Sequence, residues 1–532
     1  MPGAKTAVEP HRGSVVSGAS TTIPRIERAV VAGALRRNPA TAIFLSALLA
    51  FIVVTRWLTA PEYLYYFDSA NFALSLENFN PSLHQPQPPG YPLFVALIRI
   101  IHLFANSAQD TMVIAGLVGA CAATVLIYFL ASDLFGRAAG ILAAALLASN
   151  PVFWFGGVSN QIRVFLAVSS VGVSLLAWRA LTAPRRDLWM AATFAALGIA
   201  AGFRPAEAML LLPLVAWVWW RGGPSLRRLP QVLMLAATSL PWIAATVYAG
   251  GGWAHMLDVM RNYSDSQFQG SSWFYGAPLA SAWRMLRLDI AWHLYGPVAW
   301  IWALILIPKP RLTGERLTKA IFLALAFLPY FLFCGFIHIG DPDQALGGIA
   351  ILCVAGGAVL AKALERLRIR RVLAAATVMV ALHCALFLFP PFHAARAASY
   401  RFVRDIDHLT STAIDAIAEL NRDGPLTIVH WGTSVTSRQI EYYFPDAYVD
   451  VLPGSPSQAA PGEGPMAFYR HATLSIPNGA SGRIHPGTRH VICLIPAKDA
   501  AALRGWRQVG PLFVLDSVPE QGIELHGQRI VW

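Results

Sequence analysis

The sequence predicts a polytopic α-helical membrane protein of about eleven transmembrane helices with a C-terminal soluble α/β domain on the outer face, and three observations predict it. Of 532 residues, 56% are hydrophobic and only 13% are charged, too little charge for a soluble chain of this size. Apolar stretches long enough to cross the hydrocarbon core as helices recur from Asn38 to Pro390. The net charge of +12 is gathered in short basic clusters between those stretches, as in cytoplasmic loops. That placement sets nucleic acid aside as a partner, because no single basic face is built.

In chain order, the first residues are polar and basic, with Arg25, Arg28, Arg36 and Arg37 ahead of the first apolar run. A cleavable signal has its charge, core and small-residue site closer to Met1. Residues 1–37 therefore read as a cytoplasmic tail, and Asn38–Leu58 as an uncleaved first span. After a long loop, Tyr91–Phe104 is short for a span and carries Arg99 and His102, as an interfacial or re-entrant segment does. Further apolar runs lie at 112–131, 138–155, 162–180, 188–203, 206–220, 230–249, 290–307, 320–338, 345–361 and 372–389.

Charge parity orders these runs. If Tyr91–Phe104 stays at the outer surface, Arg137, Arg185/Arg186, Arg221/Arg227/Arg228, Lys309/Arg311/Arg316/Lys319 and Lys362/Arg366/Arg368/Arg370/Arg371 all fall inside. The expected transmembrane region is 38–390, with an outer loop at 59–111 and the segments Gly156–Gln161, Arg204–Glu207, Gly250–Asp289 and Ile339–Gln344 on the same face. The aromatics, amides and serines of Gly250–Asp289 suit a polyhydroxyl ligand or an ordinary solvated loop with interfacial anchors.

From Pro391 the composition changes. Thr427–Gly432, Tyr448–Leu452, Val491–Ile495, Leu512–Leu515 and Arg529–Trp532 read as strands, and Ser437–Phe444 as a helix. Pro453–Gly464 reads as a flexible loop. Residues 391–532 are thus expected to form a small extracytoplasmic α/β domain. Cys121, Cys334, Cys353 and Cys384 lie in apolar runs and Cys493 stands alone in the C-terminal region, so no disulfide is expected there and no Cys/His spacing suggests zinc.

The chemistry is expected in the loop Thr59–Pro92, which combines aromatics, one early acid, a histidine, amides and a proline-dense exit. A connector of this length inside a compact region is usually functional. Asp68, next to Tyr65, Tyr66 and Phe67, suits a base that takes a proton from an acceptor hydroxyl, and also suits a helix N-cap. Tyr66, His84, Gln87 and Tyr91 are the expected substrate-facing wall. Arg204 and Arg163, each at an outer helix end, suit a phosphate ester at headgroup level or simple snorkelling. Asp341 and Asp343 suit a sugar, a metal or a helix N-cap before Gln344. His383 is expected as a helix–helix contact.

The ordered features Tyr66-Phe67-Asp68, Pro88-Pro89-Gly90-Tyr91-Pro92, Asp133-Leu134-Phe135-Gly136-Arg137 and Ser149-Asn150-Pro151 resemble the GT-C superfamily of integral-membrane glycosyltransferases. The bacterial branch similar to protein O-mannosyltransferases and aminoarabinose transferases is the nearer likeness. The resemblance implies a polyprenyl-phosphate-linked sugar donor and a lipid, glycan or protein acceptor, with Asp68 as base, no cofactor and a bacterial inner-membrane location. Ser69 and Gln87 depart from the Asp-Glu pair and the pre-proline Lys of many relatives. The turn Gly156–Gln161 lacks the acid of metal-dependent members, which implies a metal-independent reaction with phosphate contacts from Arg163 or Arg204. A transporter or flippase of a lipid-linked saccharide is the alternative; it would favour ionisable groups at the midplane and internal repeats. A non-catalytic assembly protein leaves the elaborate first loop unexplained.

Overall fold

The computed structural model describes residues 39–222, 228–268, 271–295, 314–365, 368–430, 435–451, 473–475, 482–484, 487–494, 503, 505–516, 523–525 and 528–531. The basic tail 1–37, Arg227, Lys309, Arg311, Arg366, Trp431, Gly432, the loop Pro453–Gly464 and Ile495 lie outside them. The chain divides into residues 1–46, of which the described part opens the helix Pro39–Thr59, and residues 47–532, one compact unit.

Among the described residues, seven helices are long and apolar enough to cross a membrane: Pro39–Thr59, Ala108–Phe135, Val164–Thr182, Arg228–Ala249, Glu315–Phe336, Pro342–Ala363 and Ile369–Leu388. The number rises to eight when Arg137–Ser149 and Pro151–Val158 count as one bent span. This is fewer than the eleven expected, for local reasons. Arg186–Phe203 has 18 residues but opens on Arg186 and Asp187. Ala206–Arg221 has only 16 residues. Of the run expected at 290–307, residues 290–295 close a helix that starts earlier, Leu279–Tyr295, and residues 296–307 lie outside the described residues. Gly250–Asp289, expected as an outer loop, holds a second helix as well, Trp253–Phe268.

The run expected at 138–155 is broken, with a bend of 54° between its two helices. Pro151 supplies the cause: it has no N–H to donate and its ring crowds the preceding turn. Backbone groups freed at such a break need partners inside an apolar medium. The Asn150 side chain accepts from the Val152 and Phe153 amides at 2.9 and 3.1 Å, and the Ala148 carbonyl accepts from the buried Arg56 guanidinium. Arg56 also lies over the Trp154 ring, 4.6 Å from its centroid. The break aims Pro151–Val158 toward the turn Ser159–Arg163. The helix–helix role expected of His383 is met by its 2.9 Å hydrogen bond with the Ser149 hydroxyl.

The short apolar segment after the first loop is the helix Pro92–His102, entered through Tyr91 in a left-handed conformation (φ 47°) with Pro92 at its first position. Arg99 turns back to the Ser75 carbonyl at 2.8 Å, joining this helix to Phe67–Glu77. Phe94 stacks edge-on against Phe72 at 4.9 Å and Phe165 at 5.5 Å.

The C-terminal residues form a six-stranded sheet in the order β3-β2-β1-β5-β7-β6, where β1 is Leu426–His430, β2 Tyr448–Val451, β3 Thr473–Ser475, β5 His490–Leu494, β6 Arg507–Val509 and β7 Leu512–Leu515. The strands β3, β2, β1 and β5 are mutually parallel, and β7 runs antiparallel to both of its neighbours, β5 and β6. Strands β1 and β5 are buried along their whole length, as central parallel strands are. Ala413, Ile414, Ile417 and Leu420 of the helix Tyr400–Asn421 pack on Leu426, Ile428, Val449 and Ile492, and Tyr63 and Leu83 from the first loop lean on the same cluster. A three-stranded sheet pairs β4 (Gly482–Arg483) with β9 (Gln528–Val531) and β9 with β8 (Ile523–Leu525).

Close helix packing fixes the turn that follows Pro151–Val158. A Cβ on Gly116 would run into the Gly157 carbonyl, a backbone atom that cannot step aside. Gly116→Val is expected to lower stability by about 1–3 kcal/mol, the usual result of overpacking. A thermal melt in detergent that matched wild type would show this contact to be slack.

Candidate active site

The loop that leaves the first span does not wander. Its helix Phe67–Glu77 starts at Tyr66, whose amide is held by the Ser69 hydroxyl at 2.9 Å. Asp68 therefore lies inside the first turn and is not the N-cap that its position suggested. With Ser69 and Tyr66 closing the helix start, the Asp68 carboxylate is released to point elsewhere. It meets Arg163, whose Nη2 lies 3.2 Å from Asp68 Oδ2.

Arg163 stands at the start of the helix Val164–Thr182, after a turn in which Asn160 adopts φ 57°. Asn has the short polar side chain that tolerates this conformation. Asn160 Nδ2 donates to Gln109 Oε1 at 2.7 Å, and Arg163 Nε donates to Gln161 Oε1 at 2.9 Å. The guanidinium is only 7% exposed.

Two more acids close on the same guanidinium: Asp341 at 3.9 Å and Asp343 at 3.7 Å. Asp341 precedes the 3-10 turn Pro342–Ala345 but makes no side-chain cap, and Asp343 accepts from the Ser159 hydroxyl at 2.8 Å. The capping role expected of this pair is replaced by charge pairing, because a buried cation competes better for a carboxylate than backbone amides do. Asp343 is 1% exposed, while Asp341 is 44% and Asp68 26% exposed, so the cluster has a buried side and an open one.

Electrostatics follow from this crowding. Burial raises Asp68 above the ordinary carboxylate range; Arg163 opposes the rise, Asp341 adds to it, and Arg204 opposes it again. Burial likewise raises Asp341, against the pull of Arg163. The Tyr65, Tyr66, Tyr91 and Tyr263 hydroxyls are all pushed up, chiefly by burial, and stay neutral donors. His338 is pushed down to about 4 by burial and by the nearby charges of Arg163 and Arg204, so it is neutral at physiological pH.

Arg204 reaches the site by charge rather than by contact. Its closest ion pair is Glu207 at 3.9 Å, and it lies 6.0 Å from the Phe333 ring centroid. The Glu207 carboxylate in turn accepts from the Tyr330 hydroxyl. The field of Arg204 is felt at Asp68, Tyr91, Tyr263 and His338.

Of the residues singled out from sequence, Asp68, Arg163, Asp341 and Asp343 are thus in one cluster. Tyr66 and Tyr91 border it, Tyr91 also packing edge-on against Phe72 at 5.5 Å. His84 and Gln87 are buried, packed away from the cluster's open side rather than lining it. The His84 ring meets Tyr263 at 5.5 Å and its carbonyl accepts from Arg438 at 3.0 Å; the Gln87 carbonyl accepts from Gly90. Burial, with a smaller push from Arg438, drives His84 down to about 3. Sequence reasoning missed Tyr263, His338 and Ser159, whose polar groups face the cluster from segments far apart in the chain. Among the described residues, no group of three or more His, Cys, Asp or Glu side chains is placed to hold a metal ion.

A family model described as dolichyl-phosphate-mannose-protein mannosyltransferase matches residues 85–248. Among solved structures, ArnT from Cupriavidus metallidurans bound to undecaprenyl phosphate is similar at 14% identity, over 89% of this chain and 97% of that one, with a TM-score of 0.56. The apo state of the same protein is similar at 15% identity, over 89% and 98%, with a TM-score of 0.55. No curated protein matches the chain. At such identities the shared property is the fold. In fold and in the matched segment, the chain resembles the GT-C superfamily of membrane glycosyltransferases, in the branch that includes ArnT and the protein mannosyltransferases.

Proposed function

We propose that this protein is an inverting membrane glycosyltransferase that moves a sugar from a polyprenyl-phosphate donor to an acceptor hydroxyl at the outer membrane–water interface. The observation that carries the reading is Asp68: a carboxylate raised by burial, aimed by Arg163 at 3.2 Å, and carried on the loop that leaves the first span of a GT-C-like fold. The ionised Asp68 accepts the proton of the acceptor hydroxyl. The hydroxyl oxygen then bonds to the anomeric carbon as the carbon–oxygen bond to phosphate breaks, and the electron pair leaves with the polyprenyl phosphate. Attack from the face opposite the phosphate inverts the anomeric centre.

The two arginines take different parts in this reading. Arg163 already faces three carboxylates within 4 Å, so a phosphate brought to it would be a fourth anion. Among the described residues Arg204 pairs with Glu207 alone, at a looser 3.9 Å, and it is the better cation for the departing phosphate. Arg163 serves to aim Asp68. Tyr66 and Tyr91 line the sugar side, with Asp341 at the open edge of the cluster.

The topology that suits this chemistry has the N-terminus inside and eleven spans: the seven long helices, the bent pair, Arg186–Phe203, Ala206–Arg221 and the apolar run expected at 290–307. The basic clusters then lie inside, and the first loop and residues 391–532 lie outside. Nucleotide sugars are absent on that side, so an activated sugar must arrive on a lipid. A flippase is the second reading; the resemblance in fold to ArnT supports the transferase.

Asp68→Asn is expected to lower transfer by roughly 10²–10⁴-fold, the range for a lost general base, with normal yield and thermal stability. Sugar loss from a polyprenyl-phosphate hexose in proteoliposomes, followed by mass spectrometry, measures it; near-normal transfer by the folded variant would sink the mechanism. Because Asp68 must be ionised and its pKa is raised, the rate is expected to fall as pH drops through a value above the ~4 of a free carboxylate. An acid limb at or below that value contradicts the assignment. Arg204→Ala is expected to weaken donor use roughly 10–100-fold, as loss of a charge-assisted contact does. Arg163→Ala should instead depress kcat with donor KM little changed, and the reverse pattern would exchange the two roles.

A further inference from the structure

The first loop is held from the far end of the chain. Arg438, on the short buried helix Ser437–Tyr443, has no exposed surface, and each part of its guanidinium meets an acceptor. Nε donates to Asn71 Oδ1 at 2.7 Å, Nη1 to Glu441 at 2.6 Å, and Nη2 to the His84 and Leu83 carbonyls at 3.0 and 3.3 Å. Asn71 follows Asp68 by three residues on the helix Phe67–Glu77, which is one turn along. The planar fork of one arginine therefore ties the helix that carries Asp68 to the loop's return limb and to the C-terminal segment.

Neighbouring side chains extend the grip. Gln439 Nε2 donates to the Leu64 carbonyl at 2.6 Å, and the Leu64 amide donates to the Tyr443 hydroxyl at 2.9 Å. The Glu62 and Tyr63 amides donate to Asp407 at 2.9 and 3.2 Å. Backbone groups removed from water must be paired somewhere, and here between residues 62 and 64 side chains of the C-terminal segment do the pairing. A guanidinium with no exposed surface is costly unless fully bonded, so Arg438 is a poor choice for mere filling.

We propose that Arg438 is a positioning residue for Asp68, and that the C-terminal α/β segment acts as a clamp that sets the pose of the first loop. This rests on the reading of Asp68 as the base. Misplacing a reacting group by about 1 Å costs on the order of 10²-fold in rate, so a clamp acting through Asn71 governs turnover without touching substrate.

The test uses the full-length protein in proteoliposomes, with polyprenyl-phosphate hexose as donor, and hydrogen exchange of residues 62–84 as a second readout. Arg438→Gln and Asn71→Ala are expected to lower kcat roughly 10–100-fold with donor KM within about 2-fold, and to speed amide exchange in residues 62–84. The double variant should be no slower than Arg438→Gln alone, since the bond to Asn71 is already lost with Arg438. Arg438→Lys should recover part of the rate, and Arg507→Ala, at the exposed Arg507–Asp516 pair, should change neither readout. Should Arg438→Gln fail to fold, Asn71→Ala and Tyr443→Phe decide the matter, each removing one bond from the same clamp. Wild-type kcat in folded Asn71→Ala and Tyr443→Phe, a rise in KM at constant kcat, or unchanged exchange overturns the proposal. If wild type itself releases no sugar from this donor, the transferase reading falls, while the exchange measurement still decides whether Arg438 clamps the loop.

Discussion

A guanidinium taken out of water has to be neutralised by its neighbours, and around Arg163 that requirement gathers the site. Three carboxylates from two distant segments, Asp68 and the pair Asp341 and Asp343, converge on one cation that is 7% exposed. The desolvation cost of such a cation is offset only by several good partners. Its partners inherit the consequence: Asp68 sits where burial raises its pKa while an adjacent positive charge keeps it aimed and ionisable. The opposition of these two effects leaves a carboxylate more basic than one in water.

That cluster depends on how the helices end. The break at Pro151, with Asn150 and Arg56 satisfying the groups it frees, brings the turn Ser159–Arg163 to the Asp341–Asp343 segment. Gly116 allows the Gly157 carbonyl to come close enough for that turn to seat. From the other side, Ser69 and Tyr66 close the start of the Asp68 helix, and Arg438 holds it at Asn71. The site is therefore a meeting of three strongly constrained backbones rather than a property of one loop.

Much of this was legible in advance. Asp68 stood out as an early acid amid aromatics just beyond a span, though the same position also suited a helix N-cap, and Arg163, Asp341 and Asp343 because they flank short turns between apolar runs. Five C-terminal strands were legible within a residue or two, the buried parallel ones as short apolar runs between turn signals, while Thr473–Ser475, Gly482–Arg483, Arg507–Val509 and Ile523–Leu525 were not. Less legible were the capping roles. A carboxylate near a helix start is a fair N-cap by local rules, but those rules do not see a buried arginine reached across the fold. His338 gave no local signal and Tyr263 only that of one aromatic among several in Gly250–Asp289, because their surroundings are built from segments far apart in the chain.

Composition and periodicity by themselves determined that the chain is a bundle of apolar helices followed by an α/β segment, because water-to-lipid transfer and backbone pairing act residue by residue along the sequence. Only the tertiary structure decided which acids share a cation, which arginine stays loosely paired beside Glu207, and that Arg438 grips the loop bearing Asp68. Those outcomes turn on charge pairing over a few ångströms between segments hundreds of residues apart, and no local pattern carries that information.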